Sequence, residues 1–291
     1  MREVKVFVPG KIILSGEHSV VYGYPALVAS LSKGITVKLM EGKGKKDYKN
    51  DEIGLIRKAI GVAGGKFNGL DLKIESDLPV GAGLGSSAAI AAGVIKAVKK
   101  LNGKKISDEK LFDLTMECER LAHKNPSGVD PAAVIYGGLI KYIKNKGLVG
   151  LKTKKTVKFL LFDSGKPKET TGEMVELVEK RYKSGTKKVE EIFKKIWSVT
   201  ETIQLNLEDD KKLKKLIDEN GKLLESLGVV SKKVIRLSQD LRKINCGVKI
   251  TGAGGLTGGS GMVLVKSLGY SKPKKFLEDR GYKTMEISIG D

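Results

Sequence analysis

The stretch LPVGAGLGSSAAIAAG, residues 78–93, decides the fold more than any other part of the sequence. It follows the run Leu70–Ser76, in which apolar and polar residues alternate as in a β-strand, and it leads into an apolar segment, residues 88–98, typical of a helix. A strand, a glycine-rich turn and a helix in this order bring backbone NH groups and the positive end of a helix dipole to one point. Because glycines let an anion approach the backbone, the stretch predicts a phosphate site.

The stretch matches neither of the two common glycine-rich nucleotide motifs. The G-x-x-x-x-G-K-[ST] spacing is absent, and the third glycine comes one residue too early for G-x-G-x-x-G. Two alternatives therefore stay open for this stretch alone: a tightly packed turn and, because residues 78–95 carry no formal charge, a membrane span. Pro79, three closely spaced glycines and two serines argue against the span.

Two further glycine segments lie far from the first in the chain. PGK at residues 9–11 leads into GEH at residues 16–18, and TGAGG occupies residues 251–255. We interpret the three segments as parts of one phosphate site.

Together these segments resemble the three signature motifs of the GHMP kinases, which include galactokinase, homoserine kinase, mevalonate kinase and phosphomevalonate kinase. The matching segments are PGKIILSGEHSVVYGYPAL at 9–27, LPVGAGLGSSAAIAAG at 78–93 and KITGAGG at 249–255. Within the superfamily, GEHSVVYG at 16–23 is most similar to the GEHAVVYG of mevalonate kinases. HKNPSGVD at 123–130 resembles their HGNPSGVD, and DSGKPKETTGEMV at 163–175 resembles their loop with a P-[KR]-x-T pattern.

The resemblance implies an α+β fold with an N-terminal mixed α/β domain, a ferredoxin-like C-terminal domain and an active site in the cleft between them. We predict separate strands at Glu3–Val8 and Lys11–Ser15, and helices at Asp51–Ala63 and at Asp108–Lys124, the second helix capped by Ser107. Because the predicted strands and helices mix without strict alternation, the sequence also favours α+β. The glycine- and lysine-rich residues 144–155 are the candidate boundary. We therefore predict a nucleotide and substrate domain at 1–150 and a second domain at 151–291.

The resemblance further implies phosphorylation of the primary 5-hydroxyl of mevalonate, with ATP and Mg²⁺ as cofactors. The implied ATP-binding residues are Gly81, Ala82, Gly83, Leu84, Gly85, Ser86, Ser87, Ala88, Gly252, Ala253 and Gly254. One alternative is another GHMP kinase acting on phosphomevalonate, homoserine or a sugar. The others are a non-catalytic basic binding protein and a regulatory pseudokinase on the same fold.

Phosphoryl transfer needs a carboxylate near the attacking hydroxyl and positive charge near the phosphates. Asp130 is the candidate to accept the alcohol proton, and Lys11 is the candidate to pair with it and hold it ionised. By resemblance these two positions are the catalytic pair. Whether Asp130 is a true base or orients the hydroxyl stays open.

Ser87 and Glu119 are the predicted magnesium ligands. Two protein oxygens suffice because Mg²⁺ keeps water and nucleotide oxygens as its other ligands. Glu119 lies at the edge of the apolar stripe of its predicted helix, eleven residues before Asp130 as in the family. That position fits equally well a surface glutamate paired with Arg120 or Lys124.

Glu17 and His18 are expected to meet the substrate, with His18 donating a hydrogen bond from a ring nitrogen. Thr170, beside Lys168, either completes the substrate side or only forms a turn. For His123, a contact to a ligand and a hydrogen bond to a helix-end carbonyl are both open.

Three positions depart from the family pattern. The third motif commonly runs GAGGGGC, but here Leu256 and Thr257 follow GAGG as though inserted, which predicts a longer or differently shaped loop. Lys124 stands where glycine is usual, and Pro131 stands where asparagine is frequent. None of these changes removes a predicted catalytic group.

The net charge of +20 raises the question of a nucleic-acid or membrane partner. Only 7 of the 54 basic residues are arginines and only 5% of residues are aromatic, which favours a solvated lysine-rich surface and no such partner. Cys118 and Cys246 indicate small buried hydrophobes of a reducing compartment rather than a disulfide. With no basic-then-apolar leader at the start of the sequence, we predict a cytoplasmic protein and leave a homodimer open.

Overall fold

The computed structural model describes most of the chain, and its described residues pack into two compact units. The described residues are 2–44, 46–47 (backbone only), 54–66, 68–79, 83–121, 126–184 and 187–290. The first unit comprises Met1–Lys11, Ser30–Val80 and Gly85–Gly137, and the second comprises Ile12–Ala29, Gly81–Leu84 and Gly138–Asp291. The predicted domain boundary at residue 150 stays a prediction.

The first unit combines β-strands with a layer of helices. Its elements are β1 Glu3–Ser15 and β2 Ala26–Glu41, each shared with the second unit, β3 Lys46–Asp47, α1 Leu55–Val62, β4 Leu70–Ser76, α2 Ser86–Leu101, α3 Asp108–Glu119 and α4 Val129–Tyr136. β2 pairs antiparallel with β4, with Ile35 opposite Ser76, and β1 pairs with β2. The strand at 70–76 and the helix that follows the glycine-rich stretch are therefore confirmed.

β1 is one continuous strand, so the prediction of two strands separated by Pro9 and Gly10 is wrong. Gly34 of β2 explains the difference. A Cβ at Gly34 would come within 2.2 Å of the Val8 carbonyl oxygen and 2.8 Å of the Pro9 Cα. Because Gly34 leaves this space empty, β1 passes Pro9 close to its neighbour without a break.

The apolar side of α2 packs against the strands of the first unit. A Cβ at Gly93 would lie 2.8 Å from Val37 Cγ2 and 3.4 Å from Val8 Cγ2, so glycine lets the helix approach β1 and β2 closely. α3 begins as predicted, since the Ser107 hydroxyl accepts a hydrogen bond from the Lys110 amide at 3.2 Å. Parts of two predicted helices, residues 51–53 and 122–124, lie outside the described residues.

The second unit is built on an antiparallel sheet with strand order β10-β7-β9-β8, covered by helices. Its elements are β5 Leu139–Ile143, β6 Gly147–Leu151, β7 Val157–Asp163, α5 Thr171–Lys183, α6 Lys187–Leu205, α7 Asp210–Leu227, α8 Lys232–Lys243, β8 Gly247–Ile250, β9 Met262–Lys266, α9 Ser271–Glu278 and β10 Thr284–Ile289. Its core is formed by side chains such as Phe162 of β7, Phe193 of α6 and Val248 of β8. The α+β prediction is confirmed.

A strand that the sequence did not predict, β6, lies inside the glycine- and lysine-rich residues 144–155. β6 pairs antiparallel with β5, with Leu139 opposite Leu151. Asn145, between the strands, and Gly147, the first residue of β6, have φ angles of 62° and 99°, the left-handed region that tight turns use. The polar composition of this segment therefore marks a hairpin turn.

The described residues bear on two sequence predictions, one about a membrane span and one about the two cysteines. Within them, no helix combines the length and the apolar character that crossing a membrane requires. Cys118 and Cys246 are both buried free thiols, as predicted.

Candidate active site

The first unit contains an ion pair between Lys11 and Asp130. Lys11 Nζ lies 3.0 Å from Asp130 Oδ1, and the lysine side chain is only 2% exposed, whereas the aspartate is 36% exposed. Lys11 belongs to β1, and Asp130 is in the first turn of α4, which begins after Gly128 at φ 83°. The strand β1 and the first turn of α4 therefore hold the pair so that only the carboxylate is open to solvent.

The start of α2 lies against the stem of this lysine. Gly85 is the N-cap of α2 with φ 77°, and a Cβ there would come within 2.8 Å of Lys11 Cγ. Only glycine fits both the conformation and the close approach. In the part of the chain that the structure describes, no side chain caps the first amides of α2, so these NH groups and the helix dipole can receive an anion.

A second pair of side chains, Ser87 of α2 and Glu119 of α3, lies near the Lys11–Asp130 pair. Ser87 Oγ donates to Glu119 Oε1 at 2.5 Å, and Glu119 is 5% exposed. Burial raises the pKa of Glu119 to about 7, opposed by the Ser87 hydrogen bond, while the charge of Asp130 raises it further and that of Lys11 lowers it. Glu119 is therefore an interior carboxylate and not the surface glutamate that the sequence left open.

The Ser87 and Glu119 oxygens are the type of ligand that Mg²⁺ prefers. Among the described residues, no cluster of three or more His, Cys, Asp or Glu side chains could hold a metal. A cation that takes two protein oxygens and completes its shell with water and phosphate oxygens fits this arrangement. A buried carboxylate is also stabilised in its charged form by such a cation.

In the second unit, Glu17 is paired with a buried lysine that the sequence analysis missed. Lys249 Nζ donates to Glu17 Oε1 and also to the carbonyls of Ile13 at 3.0 Å and Ile250 at 2.7 Å. The exposed fractions of Lys249 and Glu17 are 0% and 1%. The geometry therefore places Glu17 as a support inside the unit, and its expected contact with substrate stays a prediction.

One feature of the sequence could have indicated Lys249. It lies in the strand β8, between Val248 and Ile250, directly before the third glycine segment, and all residues of β8 are buried. A lysine in a fully buried strand needs an acidic partner. Glu17, the acidic residue of the first motif, is that partner.

His18 lies next to Glu17 and also contacts the third glycine segment. Its Nε2 is 3.0 Å from the Ala253 carbonyl oxygen, and burial lowers its pKa to about 4, opposed by this hydrogen bond. The ring is therefore neutral at pH 7, and since a carbonyl only accepts, the proton is on Nε2. Nδ1 is then an acceptor, and it has no hydrogen-bond partner among the described residues. The donating nitrogen that the sequence analysis assigned to the substrate is used inside the unit.

The third glycine segment is fixed to β1 within the second unit. Thr251 Oγ1 accepts a hydrogen bond from the Ile13 amide at 2.8 Å. Gly254 has φ 76°, and a Cβ there would come within 2.0 Å of the Val229 carbonyl oxygen. The loop that contains Gly252, Ala253 and Gly254 is therefore tightly packed with its backbone close to neighbouring chain.

Thr170 is the N-cap of α5. Its hydroxyl accepts from the Glu173 amide at 3.2 Å, and its own amide donates to Glu173 Oε2 at 2.7 Å, which completes a capping box. The hydroxyl also donates to Glu173 Oε2 at 2.9 Å. The hydroxyl is thus engaged in starting a helix, and a substrate contact by Thr170 stays a prediction.

The remaining predicted nucleotide residues are distributed over both units. Ser86, Ser87 and Ala88 form the first turn of α2 in the first unit, while Gly83 at φ 76° and the buried Leu84 belong to the second. Gly81, Ala82 and His123 lie outside the described residues.

Comparison with known proteins adds to this geometry. The profile described as GHMP kinases N terminal domain matches residues 52–138. The mevalonate kinase of Pyrococcus furiosus is 34% identical over an alignment of 289 positions that covers 85% of each chain.

Two solved structures show the same fold. The Methanococcus jannaschii mevalonate kinase has a TM-score of 0.84 at 24% identity and covers 100% of this chain and 99% of its own. The L. major mevalonate kinase in complex with R-mevalonate has a TM-score of 0.85 at 21% identity, with 99% and 96% covered. At these identities the structures establish the fold, and the sequence relative establishes the family. The chain belongs to the mevalonate kinase family of GHMP kinases.

Proposed function

We propose that the chain transfers the terminal phosphoryl group of ATP to the primary 5-hydroxyl of mevalonate, giving 5-phosphomevalonate and ADP. The observation that carries this proposal is the Lys11–Asp130 ion pair beside the Ser87–Glu119 pair at the start of α2. The relative from Pyrococcus furiosus, a mevalonate kinase, supports the acceptor. The L. major protein, whose structure contains R-mevalonate, supports it as well.

Asp130 is the residue that we assign to the attacking hydroxyl. In the reaction a bond forms between the alcohol oxygen and the terminal phosphorus, the bond to the bridging oxygen of ATP breaks, and the alcohol proton passes to the Asp130 carboxylate. Lys11 holds that carboxylate at 3.0 Å and adds positive charge beside the developing alkoxide. An orienting role for Asp130 uses the same contact, and the two roles differ in when the proton moves.

The nucleotide phosphates are assigned to the amides at the start of α2 and to the loop of Gly252 and Gly254. Ser87 and Glu119 would hold Mg²⁺, which neutralises phosphate charge when bound. The two oxygens already lie 2.5 Å apart, so little movement is needed to bring both to one cation.

The acceptor is assigned to His18, which offers Nδ1 to a donor such as a hydroxyl. Glu17 supports the neighbouring His18 indirectly, through its ion pair with Lys249. The buried free thiols support a reducing compartment, and we propose the cytoplasm. A homodimer stays a prediction, to be tested by light scattering.

A panel of acceptors tests the proposal. ADP release is measured with equal ATP and mevalonate, phosphomevalonate, homoserine or galactose. We expect turnover with mevalonate at least about tenfold above every other acceptor, and its loss when EDTA removes Mg²⁺. Turnover with another acceptor and none with mevalonate would refute the assignment. Steeply salt-dependent binding of DNA with no ADP release would instead favour the basic binding protein.

A further inference from the structure

Two loops of the second unit contact each other: residues 164–170, which follow β7, lie along residues 255–261 of the 251–261 loop, which follows β8. At their base, the Ser164 amide donates to the Gly261 carbonyl and the Gly261 amide donates to the Gly165 carbonyl, both at 3.1 Å. Further along, Pro167 forms an antiparallel bridge with Gly258. The two loops therefore form a short ladder.

Glycines make the close approach of the two loops possible. A Cβ at Gly255 would lie 2.4 Å from Pro167 Cβ, and a Cβ at Gly259 would lie 2.0 Å from the Gly165 carbonyl oxygen. Larger side chains at these positions would push the loops apart, so the contact depends on backbone meeting backbone.

The tip of the ladder contains Leu256 and Thr257, the two residues inserted relative to the family motif. Glu169 Oε2 accepts hydrogen bonds from the Leu256 amide at 3.0 Å and the Thr257 amide at 3.2 Å. The Lys168 amide donates to the Thr257 carbonyl at 3.2 Å. The side chains of Leu256 and Thr257 are exposed, so apolar burial does not hold the tip in place.

The charge of Glu169 strengthens these contacts. Hydrogen bonds, first that of the Thr257 side chain, lower the pKa of Glu169 to about 2, opposed by burial. Glu169 is therefore ionised near neutral pH, and hydrogen bonds to an ionised acceptor are about twice as strong as neutral ones.

We propose that Glu169 is a positioning residue that fastens the inserted tip of the 251–261 loop to the 164–170 loop, so that binding of the acceptor and binding of the nucleotide are coupled. The proposal rests on the proposed function, which assigns the 251–261 loop to ATP through Gly252 and Gly254, and on the predicted substrate contact of Thr170 at the end of the other loop. While Glu169 holds the two loops together, a ligand that orders one loop also orders the other loop before the second ligand binds. The insertion thus supplies the two amides and the carbonyl that make the fastening.

Hydrogen exchange tests the fastening without any turnover. Exchange of the Leu256 and Thr257 amides is compared in the wild type, Glu169→Ala, Glu169→Gln and the control Glu176→Ala. Glu176 is exposed on α5 and pairs only with Lys180 at 3.6 Å among the contacts described. We expect exchange to accelerate by at least about tenfold in Glu169→Ala and by less in Glu169→Gln, which keeps an acceptor oxygen. Equal rates in Glu169→Ala and Glu176→Ala would overturn the proposal.

Kinetics test the coupling. In the wild type we expect the KM for mevalonate to fall as ATP approaches saturation. In Glu169→Ala this dependence disappears, the KM values for both substrates rise by about three- to tenfold, and kcat changes by less than about threefold because Glu169 does not touch reacting atoms. Faster exchange with unchanged KM values would overturn the positioning role. A wild type that does not phosphorylate mevalonate refutes the proposed function instead, and exchange alone then decides whether Glu169 fastens the tip.

Discussion

The two units each contain a lysine–carboxylate pair at a glycine motif, and the pairs differ in exposure. Lys11 and Asp130 of the first unit are 2% and 36% exposed. Lys249 and Glu17 of the second unit are 0% and 1% exposed. The ion pair itself is common to both, so the exposed carboxylate is what distinguishes a group that can meet a reactant from one that supports the fold.

The buried pair is stable because the hydrogen-bonding needs of its lysine are met. An ammonium group has three N–H donors, and Lys249 directs them to Glu17 and to the carbonyls of Ile13 and Ile250. A charge taken out of water without such partners is penalised by several kcal/mol. Ile13 belongs to β1, Ile250 belongs to β8, and Glu17 lies two residues after β1, so these contacts link the two strands next to His18.

Breaking the buried pair is expected to have the largest effect, because it affects both folding and activity. Lys249→Met leaves the Glu17 charge buried without its cation, which lowers the free energy of unfolding by about 3–5 kcal/mol. Urea denaturation measures this loss. Because a domain is stable by only about 5–15 kcal/mol in total, much of the variant is expected to be unfolded or inactive at assay temperature.

A double variant separates loss of the pair from loss of packing. In Lys249→Met with Glu17→Gln neither charge of this pair remains, and we expect at least half of the lost free energy of unfolding to return. If the double variant is no more stable than Lys249→Met alone, the pair does not act as a unit and the contrast with Lys11–Asp130 fails.

Changing the exposed carboxylate is expected to remove activity and leave the fold intact. Asp130→Asn keeps the shape but cannot take a proton, so kcat falls by about two to four orders of magnitude. The free energy of unfolding changes by less than about 1 kcal/mol, because the amide oxygen of the variant can still accept a hydrogen bond from the buried Lys11 ammonium group and the position is partly solvated. Steady-state kinetics and urea denaturation on the same preparation give both numbers.

Asp108→Asn is the matched control for this experiment. Asp108 lies in the same unit, is 53% exposed and is 3.9 Å from Lys96. It should change neither kcat nor stability appreciably. A large loss of stability in Asp130→Asn, or near-normal turnover, would mean that the Lys11–Asp130 pair is structural like its counterpart in the second unit.

The sequence predicted the exposed pair better than the buried one, for a physical reason. Lys11 and Asp130 lie in motifs that resemble those of the family, so their residue types and spacing predict a site there. Lys249 acts through a partner 232 positions away, and only the folded strands show that Glu17 lies beside it. Single-sequence patterns do not contain such contacts.

The same limit explains one wrong prediction, the strand break, and one alternative that the sequence left open, the position of Glu119. The sequence predicted a strand break at Pro9, because the sequence alone does not show the space that Gly34 leaves for it on the neighbouring strand. Glu119 lies at the edge of an apolar stripe, where periodicity alone does not distinguish interior from surface. By contrast, β4 and α2 follow from local alternation and the glycine-rich turn, which tertiary contacts did not override.

The last and smallest expected effect concerns His18, the neighbour of the buried pair. Its pKa is lowered from 6.5 to about 4 by burial, so the unfolded chain binds more protons than the folded one between these pH values. Stability from this residue is complete above pH 6.5 and is lost as pH falls toward 4, by about 3 kcal/mol in total. The measurement is urea denaturation at several pH values for the wild type and His18→Gln, which does not titrate.

The informative quantity is the difference in free energy of unfolding between the wild type and His18→Gln at each pH. Burial raises the pKa of Glu119 from 4.5 to about 7, which lowers stability as pH rises over an overlapping range and partly hides the contribution of His18 in the wild type. Because Glu119 is present in both proteins, its contribution cancels in the difference. We expect the difference to change by about 3 kcal/mol between pH 6.5 and 4. Parallel profiles would show that His18 is not held neutral in the folded chain, and Nδ1 could then not serve as the acceptor beside the buried pair.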